Sequence, residues 1–274
     1  APYAIAIRSD NRLFAWGTNN NSQLGNLRFI NSISPIAVSA VTDSWSTISV
    51  ADSHLIAIRS DKLLYTWGLG TNGQLGSGDI ISRSAPLQLG TSSWAQVASG
   101  VTYSLATRAD KSLFTWGGNS VGQLGILDLV HRSSPVQIGT SSWTNISANT
   151  STTMAIRNDY ALFMWGQGTN YNFGNLKLLN YSSPVALANI NDSWSSVSSG
   201  ISYHLALRSD RLLFAFGGNT WGTLGTNDIL HRSNPTQIGS SSWSQVSAGS
   251  SNSYLIDIAG GLYVMGTSAG GALG

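Results

Sequence analysis

One pentapeptide pattern restricts what this chain can fold into more than any other feature. Leu13-Phe14-Ala15-Trp16-Gly17 returns as Leu64-Tyr65-Thr66-Trp67-Gly68, Leu113-Phe114-Thr115-Trp116-Gly117 and Leu162-Phe163-Met164-Trp165-Gly166. Two weaker copies follow, Leu213-Phe214-Ala215-Phe216-Gly217 and Leu262-Tyr263-Val264-Met265-Gly266. The closing glycines stand 51, 49, 49, 51 and 49 residues apart. A self-similar period of this length means a stack of supersecondary units, each too small to bury its apolar face alone.

Each unit divides into four strand-like pieces. A short alternating piece (Ala4-Ile5-Ala6-Ile7 in the first) leads through an Asp-centred turn into the Trp-Gly strand. A long polar loop then carries Gln-Leu-Gly, as at Gln23-Leu24-Gly25, Gln74-Leu75-Gly76 and Gln123-Leu124-Gly125. The third piece begins around Pro35, Pro86, Pro135, Pro184 and Pro235, and proline fits the first position of a strand. The fourth starts at Trp45, Trp94, Trp143, Trp194 or Trp243 and ends in small residues. Period two places Val97, Ile146, Val197 and Val246 on the face opposite these tryptophans. The small residues allow strands to approach closely at a crowded inner edge.

Composition agrees with short strands and many turns. Charged residues make up 9% of the 274 residues: three Lys, eleven Arg, twelve Asp and no Glu. Lys and Glu populate solvated helix faces, so their scarcity argues against surface helices. Four short strands per unit of about 50 residues fit a β-propeller blade. The expected fold is therefore all-β, a propeller of four-stranded blades, six to seven in number with about five and a half in this chain. One domain spans 1–274, with repeats near 1–49, 50–98, 99–147, 148–198, 199–247 and a partial 248–274.

The motifs also carry a family resemblance. Ser-Ser-Pro-Val-Gln-Ile-Gly at 133–139, Ser-x-x-Trp-x-x-Ile/Val-Ser-Ala-Gly and Leu-Ala-x-Arg-x-Asp-x-x-Leu-Phe-x-Trp-Gly-x-Asn-x-x-Gly-Gln-Leu-Gly resemble the regulator-of-chromosome-condensation repeat. The likeness covers nearly the whole chain and implies a propeller, usually seven-bladed in that family. In compositional style the chain is similar to bacterial and viral members. That points to a virion, tail-fibre or secreted adhesive component. The resemblance also implies two rivals, guanine-nucleotide exchange on a small GTPase and secreted enzyme inhibition. The wedge insertion used for exchange has no counterpart here. Nor does the Gly-Trp-Arg-His-Thr motif of the plant ultraviolet-B photoreceptor.

A longer period overlies the first. The Pro-to-Trp gap is 10 residues in repeats one and four and 8 in repeats two, three and five. A three-blade unit of 149 residues is duplicated, and its second copy ends 24 residues short. Unpaired strand edges favour reading the chain as part of a longer one over a six-bladed ring completed from elsewhere.

Catalysis has little to work with. Cysteine and glutamate are absent, and the four histidines, His54, His131, His204 and His231, show no metal-ligand spacing. The expectation is a chain that is not an enzyme, with no catalytic residue, no metal and no cofactor. No run of three basic residues exists, which argues against phosphate-backbone binding; nucleic acid and membrane insertion are not expected. Protein partners, or other subunits of an assembly, are.

Candidate interaction residues are those where repeats disagree. The pairs Asp79/Arg83, Asp128/Arg132 and Asp228/Arg232 read as a loop clasp, replaced by Arg28/Ser32 and Lys177/Tyr181 in repeats one and four. Those two loops are basic and flanked by apolar residues such as Phe29. Trp221 and Tyr171, with neighbouring Phe173, occupy a variable loop position where aromatic anchors suit an interface. His131 and His231 share one loop position, 100 residues apart. The recurring Arg8/Asp10, Arg59/Asp61, Arg108/Asp110, Arg157/Asp159 and Arg208/Asp210 pairs read as structural, because both members are lost together at Asp257 and Ala259.

Overall fold

A computed structural model describes residues 3–38, 44–168, 179–187 and 192–267. These residues form 21 strands and no helix. The chain divides into two compact units, Ala1–Ser120 with Ile126–Ser142, and Val121–Gly125 with Trp143–Gly274.

Within each sheet the strands pair antiparallel with their neighbours in sequence. In the first unit, β1 (Tyr3–Ile7), β2 (Leu13–Gly17) and β3 (Ser32–Ala37) make a three-stranded sheet, the first blade. The second blade is β4 (Trp45–Val50), β5 (His54–Arg59), β6 (Leu64–Gly68) and β7 (Arg83–Gln88). The third begins with β8 (Trp94–Ser99), β9 (Tyr103–Arg108) and β10 (Ser112–Gly117). One run, β11 (Arg132–Ala148), pairs with β10 through its first half and with β12 (Thr152–Arg157) through its second.

The second unit continues the fourth blade with β12, β13 (Leu162–Gly166) and β14 (Tyr181–Ala186). The fifth blade is β15 (Trp194–Ser199), β16 (Tyr203–Arg208), β17 (Leu213–Gly217) and β18 (Arg232–Gln237). The sixth holds β19 (Trp243–Ala248), β20 (Asn252–Asp257) and β21 (Leu262–Gly266). Sheets are thus offset by one strand from the sequence repeats. The piece that closes one repeat, beginning at Trp45 for example, is the first strand of the next blade.

Two local expectations are corrected. Pro86 lies inside β7, not at its first position. β7 is the outer edge strand, and its register against β6 shifts between Thr66 and Gly68, so proline sits at a bulge where no ladder hydrogen bond is required. Val97 and Trp94 do not face opposite ways; both pack into one cluster with Ile56, Leu64, Phe114 and Trp116. A bulge between Trp94 and Gln96 inserts one residue and reverses the parity of the strand. Val197 with Trp194, and Val246 with Trp243, repeat the arrangement.

The middle strands are the most buried, as β5 and β6 show. Neighbouring first strands are close enough for side chain to reach backbone. Ser49 Oγ accepts from the Ser99 N–H at 2.9 Å, Ser147 Oγ from Ser199 at 3.0 Å, and Ser198 Oγ from Ala248 at 2.9 Å. Serine is small enough to stand there and supplies the acceptor.

The Trp-Gly strand finds its partner in the preceding blade. The Trp67 indole donates to the Gln23 carbonyl at 3.0 Å, and Trp116 to the Gln74 carbonyl at 2.9 Å. Each ring covers the glycine of Gln-Leu-Gly: a Cβ on Gly25 would lie 2.6 Å from Trp67 Nε1, and on Gly76 2.7 Å from Trp116 Nε1. Both glycines have positive φ, +63° and +71°.

Gly76→Ala combines backbone strain with a clash against a buried indole. It should lower stability by about 3 kcal/mol in chemical denaturation. Gly90→Ala, at φ +61° with open space around the added methyl, should cost only about 1 kcal/mol. Equal costs would show that the Trp116 contact does not hold these blades together.

Candidate interaction surface

The turn between the first two strands of each sequence repeat is a short hairpin closed by one left-handed residue: Asn11, Lys62, Lys111, Tyr160, Arg211 or Gly260. The carboxylate in this turn accepts the backbone N–H two residues on, as Asp61 does from Leu63 at 3.2 Å. In four turns the Arg two residues before it pairs with the same carboxylate: Arg8 with Asp10, Arg59 with Asp61, Arg157 with Asp159 and Arg208 with Asp210. Each of these guanidiniums also lies over an aromatic ring, Phe14, Tyr65, Phe163 and Phe214. The Arg8 hydrogen bond holds the Asp10 carboxyl down at about 2. The structural reading of these pairs agrees with this geometry. Arg108 is the exception.

The long loops after the Trp-Gly strands of the first, third and fifth blades are built around a buried asparagine, where the second blade has Gly70. Asn19 donates through Nδ2 to the Arg28 carbonyl at 2.7 Å and the Ile30 carbonyl at 3.3 Å, while its Oδ1 accepts from Leu24 N–H at 2.9 Å. Asn119 and Asn219 hold the Asp128 and Asp228 carbonyls in the same way, at 2.8 and 2.9 Å. The Asp–Arg clasp then pins the loop: Arg83 to Asp79 at 2.6 Å, Arg132 to Asp128 at 2.5 Å and Arg232 to Asp228 at 2.6 Å. All three carboxyls are held below the usual range, Asp79 and Asp128 chiefly by a backbone N–H and Asp228 chiefly by Arg232.

An apolar dipeptide is left in solvent at four of the long loops: Phe29-Ile30, Ile80-Ile81, Leu129-Val130 and Ile229-Leu230. Only Phe29 stands out in the sequence, because it lies in a loop that departs from the repeat, whereas the other pairs recur at one place among polar turn residues and read as ordinary loop.

In the first blade the clasp is gone. Ser32 bonds the Ser34 carbonyl at 2.7 Å, and the Arg28 guanidinium has no hydrogen-bonding partner among the described residues. Arg28 lines a cleft of about 340 Å³ with Asn26, Ile30 and Ile36. Leu27, Phe29 and Ile30 surround it at 70–73% exposure, and Ile33 is fully exposed. Trp221 is 61% exposed in the fifth-blade loop.

The remaining sequence candidates separate. His231 Nδ1 accepts the Asn219 N–H at 2.9 Å, the role taken by Asn31 Oδ1 toward Asn19 at 2.8 Å, so its ring helps shape the loop while standing exposed. His131 is exposed in the third-blade loop. Tyr181 is half-buried at the start of β14 and packs against the fourth-to-fifth-blade core. Tyr171, Phe173 and Lys177 lie outside the described residues.

His54 and His204 are fully buried. His54 Nε2 meets Ser104 Oγ at 2.9 Å, and His204 Nδ1 meets Ser199 Oγ at 3.1 Å beside Phe216. Burial lowers both from 6.5 to about 3. Both rings are neutral, fully buried members of the core. Among the described residues no group of three or more His, Cys, Asp or Glu could hold a metal ion. No helix among the described residues is long and apolar enough to cross a membrane.

The regulator of chromosome condensation (RCC1) repeat model matches residues 10–58, 61–107, 110–156 and 212–256, more than half of the chain. The chain belongs to the RCC1 repeat family. Yeast RCC1 (Prp20), solved with Kap60, shares the fold at a TM-score of 0.86 and 20% identity, over 99% of this chain and 69% of that one. The fold is therefore the β-propeller of that family. The human E3 ubiquitin-protein ligase HERC2 is 35% identical over 85 residues, 31% of this chain and 2% of that protein. The Arabidopsis thaliana ultraviolet-B receptor UVR8 is 33% identical over 85 residues, 31% of this chain and 19% of that protein. The aligned stretch is thus a small part of either relative.

The matched RCC1 segments leave out 157–211, the stretch that carries Tyr171, Phe173, Lys177 and Tyr181. Departure from the family pattern and departure from the internal repeat coincide there.

Two measurements follow from this geometry. An unfolded His takes up a proton below pH 6.5 that buried His54 and His204 cannot accept until about pH 3. Stability should therefore fall as pH falls through this window, with a slope approaching about 1.4 kcal/mol per pH unit for each ring between pH 6 and 5. His54→Gln should flatten that slope even if it lowers stability overall. Asn19→Ala should speed exchange of the Leu24 amide by at least about tenfold, the loss of one buried hydrogen bond, read by hydrogen exchange.

Proposed function

We propose that this chain is a non-enzymatic protein-interaction module, with the propeller as scaffold and the first-blade loop as a principal contact. The observation that carries this reading is the exposed Leu27-Arg28-Phe29-Ile30 segment, where Arg28 and Ser32 stand in place of the Asp–Arg clasp kept in the second, third and fifth blades. A cation amid exposed apolar side chains suits a partner offering an acidic group beside an apolar surface. Trp221, Tyr171, Phe173, Lys177, Tyr181, His131 and His231 extend the candidate surface over other loops.

Protein rather than nucleic acid is favoured by how the cations are spent. Seven of the eleven arginines are paired with aspartate in the structure, and Arg12, Arg28, Arg108 and Arg211 are scattered along the chain. Phosphate-backbone binding needs clustered free cations. The low content of charge, with no Glu, further supports an assembly component, of a virion or tail or a secreted adhesive. The yeast RCC1 neighbour is bound to Kap60, which makes a protein partner a reasonable expectation for this fold.

The test is quantitative capture with the full chain and an Arg28→Ser/Phe29→Ser double variant. Partners should be retained at least about tenfold less by the variant, the scale of losing an interface anchor. The thermal midpoint should stay nearly unchanged, since both side chains are exposed. Unchanged capture would remove the first-blade loop from the contact. Accelerated nucleotide release from a small GTPase would replace the scaffold reading with exchange, and tight inhibition of a hydrolase would replace it with inhibition.

A further inference from the structure

Arg108 is the one member of the recurring Arg–Asp series that does not hold its aspartate. In its turn the carboxylate is taken by Ser112: Asp110 Oδ1 accepts from Ser112 Oγ at 2.5 Å and from the Ser112 N–H at 2.9 Å. Arg12, Leu63, Ala161 and Leu212 stand at this place in the other repeats, and none offers a hydroxyl. A second acid is missing too. Asp192 bonds Arg208 at 3.3 Å from the segment leading into Trp194, and Ser92 stands at its position before Trp94.

The guanidinium is nevertheless fixed in place. It lies 4.1 Å from the Phe114 ring centre and 5.3 Å from that of Trp94. Among the described residues its Nε is buried with no acceptor, and the other guanidinium nitrogens make no hydrogen bond. A guanidinium stacked on aromatic faces keeps its edge donors in plane, the geometry that receives a carboxylate. A half-buried cation without an acceptor is costly, and a bound anion would relieve that cost.

Beside it is a cleft of about 440 Å³, within the first unit, between the outer strand of the second blade and the third blade. Arg108, Trp94, Ser92 and Ser134 line it with Leu87 and Pro135, and no carboxylate is among the lining residues. The Ser112 hydrogen bonds chiefly hold the Asp110 carboxyl below its usual range, with nearby Arg108 a smaller contributor, and Oδ1 is already given to Ser112. The fifth blade provides an internal contrast. Gly225, Thr226, Gln237, Ile238 and Gly239 form walls like those of Gly76, Ser77, Gln88, Leu89 and Gly90, yet the sequence puts Asp257 where Arg108 stands. The walls recur; the free cation does not.

We propose that the cleft beside Arg108 is a carboxylate-binding site that takes an acidic side chain of a protein partner, with Ser92 and Ser134 as additional donors and Leu87 and Pro135 against the chain that carries it. It is separate from the first-blade loop and does not depend on it.

The probe is blocked glutamate (N-acetyl-glutamate N-methylamide) titrated into the full chain, read on the Trp94 indole N–H in NMR and assigned with Trp94→Phe. Saturable shifts in the millimolar range are expected, as a single charge-assisted contact affords. Blocked glutamine should give none. Arg108→Gln should abolish the shift. Ser112→Leu restores the residue found at Leu63 and Leu212, returns Arg108 to Asp110, and should weaken binding by at least about fivefold while leaving the fold intact. Equal shifts with blocked glutamine, or binding unchanged in Ser112→Leu, would overturn the proposal. Tighter binding of inorganic phosphate than of blocked glutamate would also overturn it, by making the cleft a free-anion site. Arg28→Ser leaves this titration unchanged, so failure here and failure of the first-blade contact are read independently.

Discussion

Everything else in each unit depends on an indole laid over a glycine. The Trp of one blade covers the Gln-Leu-Gly glycine of the blade before it and donates to the adjacent Gln carbonyl, so the contact joins blades as well as filling a core. A side chain at that glycine would occupy the ring's place, and the loop also needs a positive φ there. Two motifs some 40 residues apart in sequence are therefore one interaction. Their decay is linked accordingly. Met265 replaces Trp where the preceding blade has Thr223-Leu224-Gly225, and Phe216 follows Asn172-Phe173-Gly174. Where the loop partner changes, the ring changes with it.

The fold was largely legible because it is written several times. Period, strand order, the Asp-centred turn and the Asp–Arg clasp all rest on local spacing, and local spacing survives in the structure. The misread points share a physical origin. Proline at an edge and valine beside its tryptophan both depend on β-bulges. A bulge adds one residue without changing the residue types, so period-two reasoning has no sign of it. The one-strand offset of sheets from repeats is invisible for a related reason: a periodic sequence has no privileged starting point.

The candidate surface was legible only in part. Arg28 and Phe29 are conspicuous because the first blade breaks the clasp, and breaking a repeat is a local signal. Ile80, Ile81, Leu129, Val130, Ile229 and Leu230 are not conspicuous, since their exposure depends on contacts that pull the chain inward beside them, the clasp in all three loops and a buried asparagine in the third and fifth blades. Buried His54 and His204 could equally have been read as candidate bases. Their seclusion is set by strands that pair across the blade and a serine contributed from nearby, and no short motif encodes it.

A repeat protein has one economical way to make a binding site: it keeps the walls and removes an internal partner. Paired Arg and Asp spend their charge on each other and offer little to a ligand, because a carboxylate arriving from solvent must displace one already in place. Arg28 and Arg108 reach the same state by different substitutions. Arg28 is the base that replaced the acid of a clasp whose arginine became Ser32; Arg108 keeps its acid, which is diverted to a serine hydroxyl. Both cations lie outside the indole–glycine contacts that join the blades. The surrounding copies then act as the reference state, in which the same walls surround a neutralised cation. Specific chemistry on this scaffold is therefore a matter of which blade has let its counter-charge go.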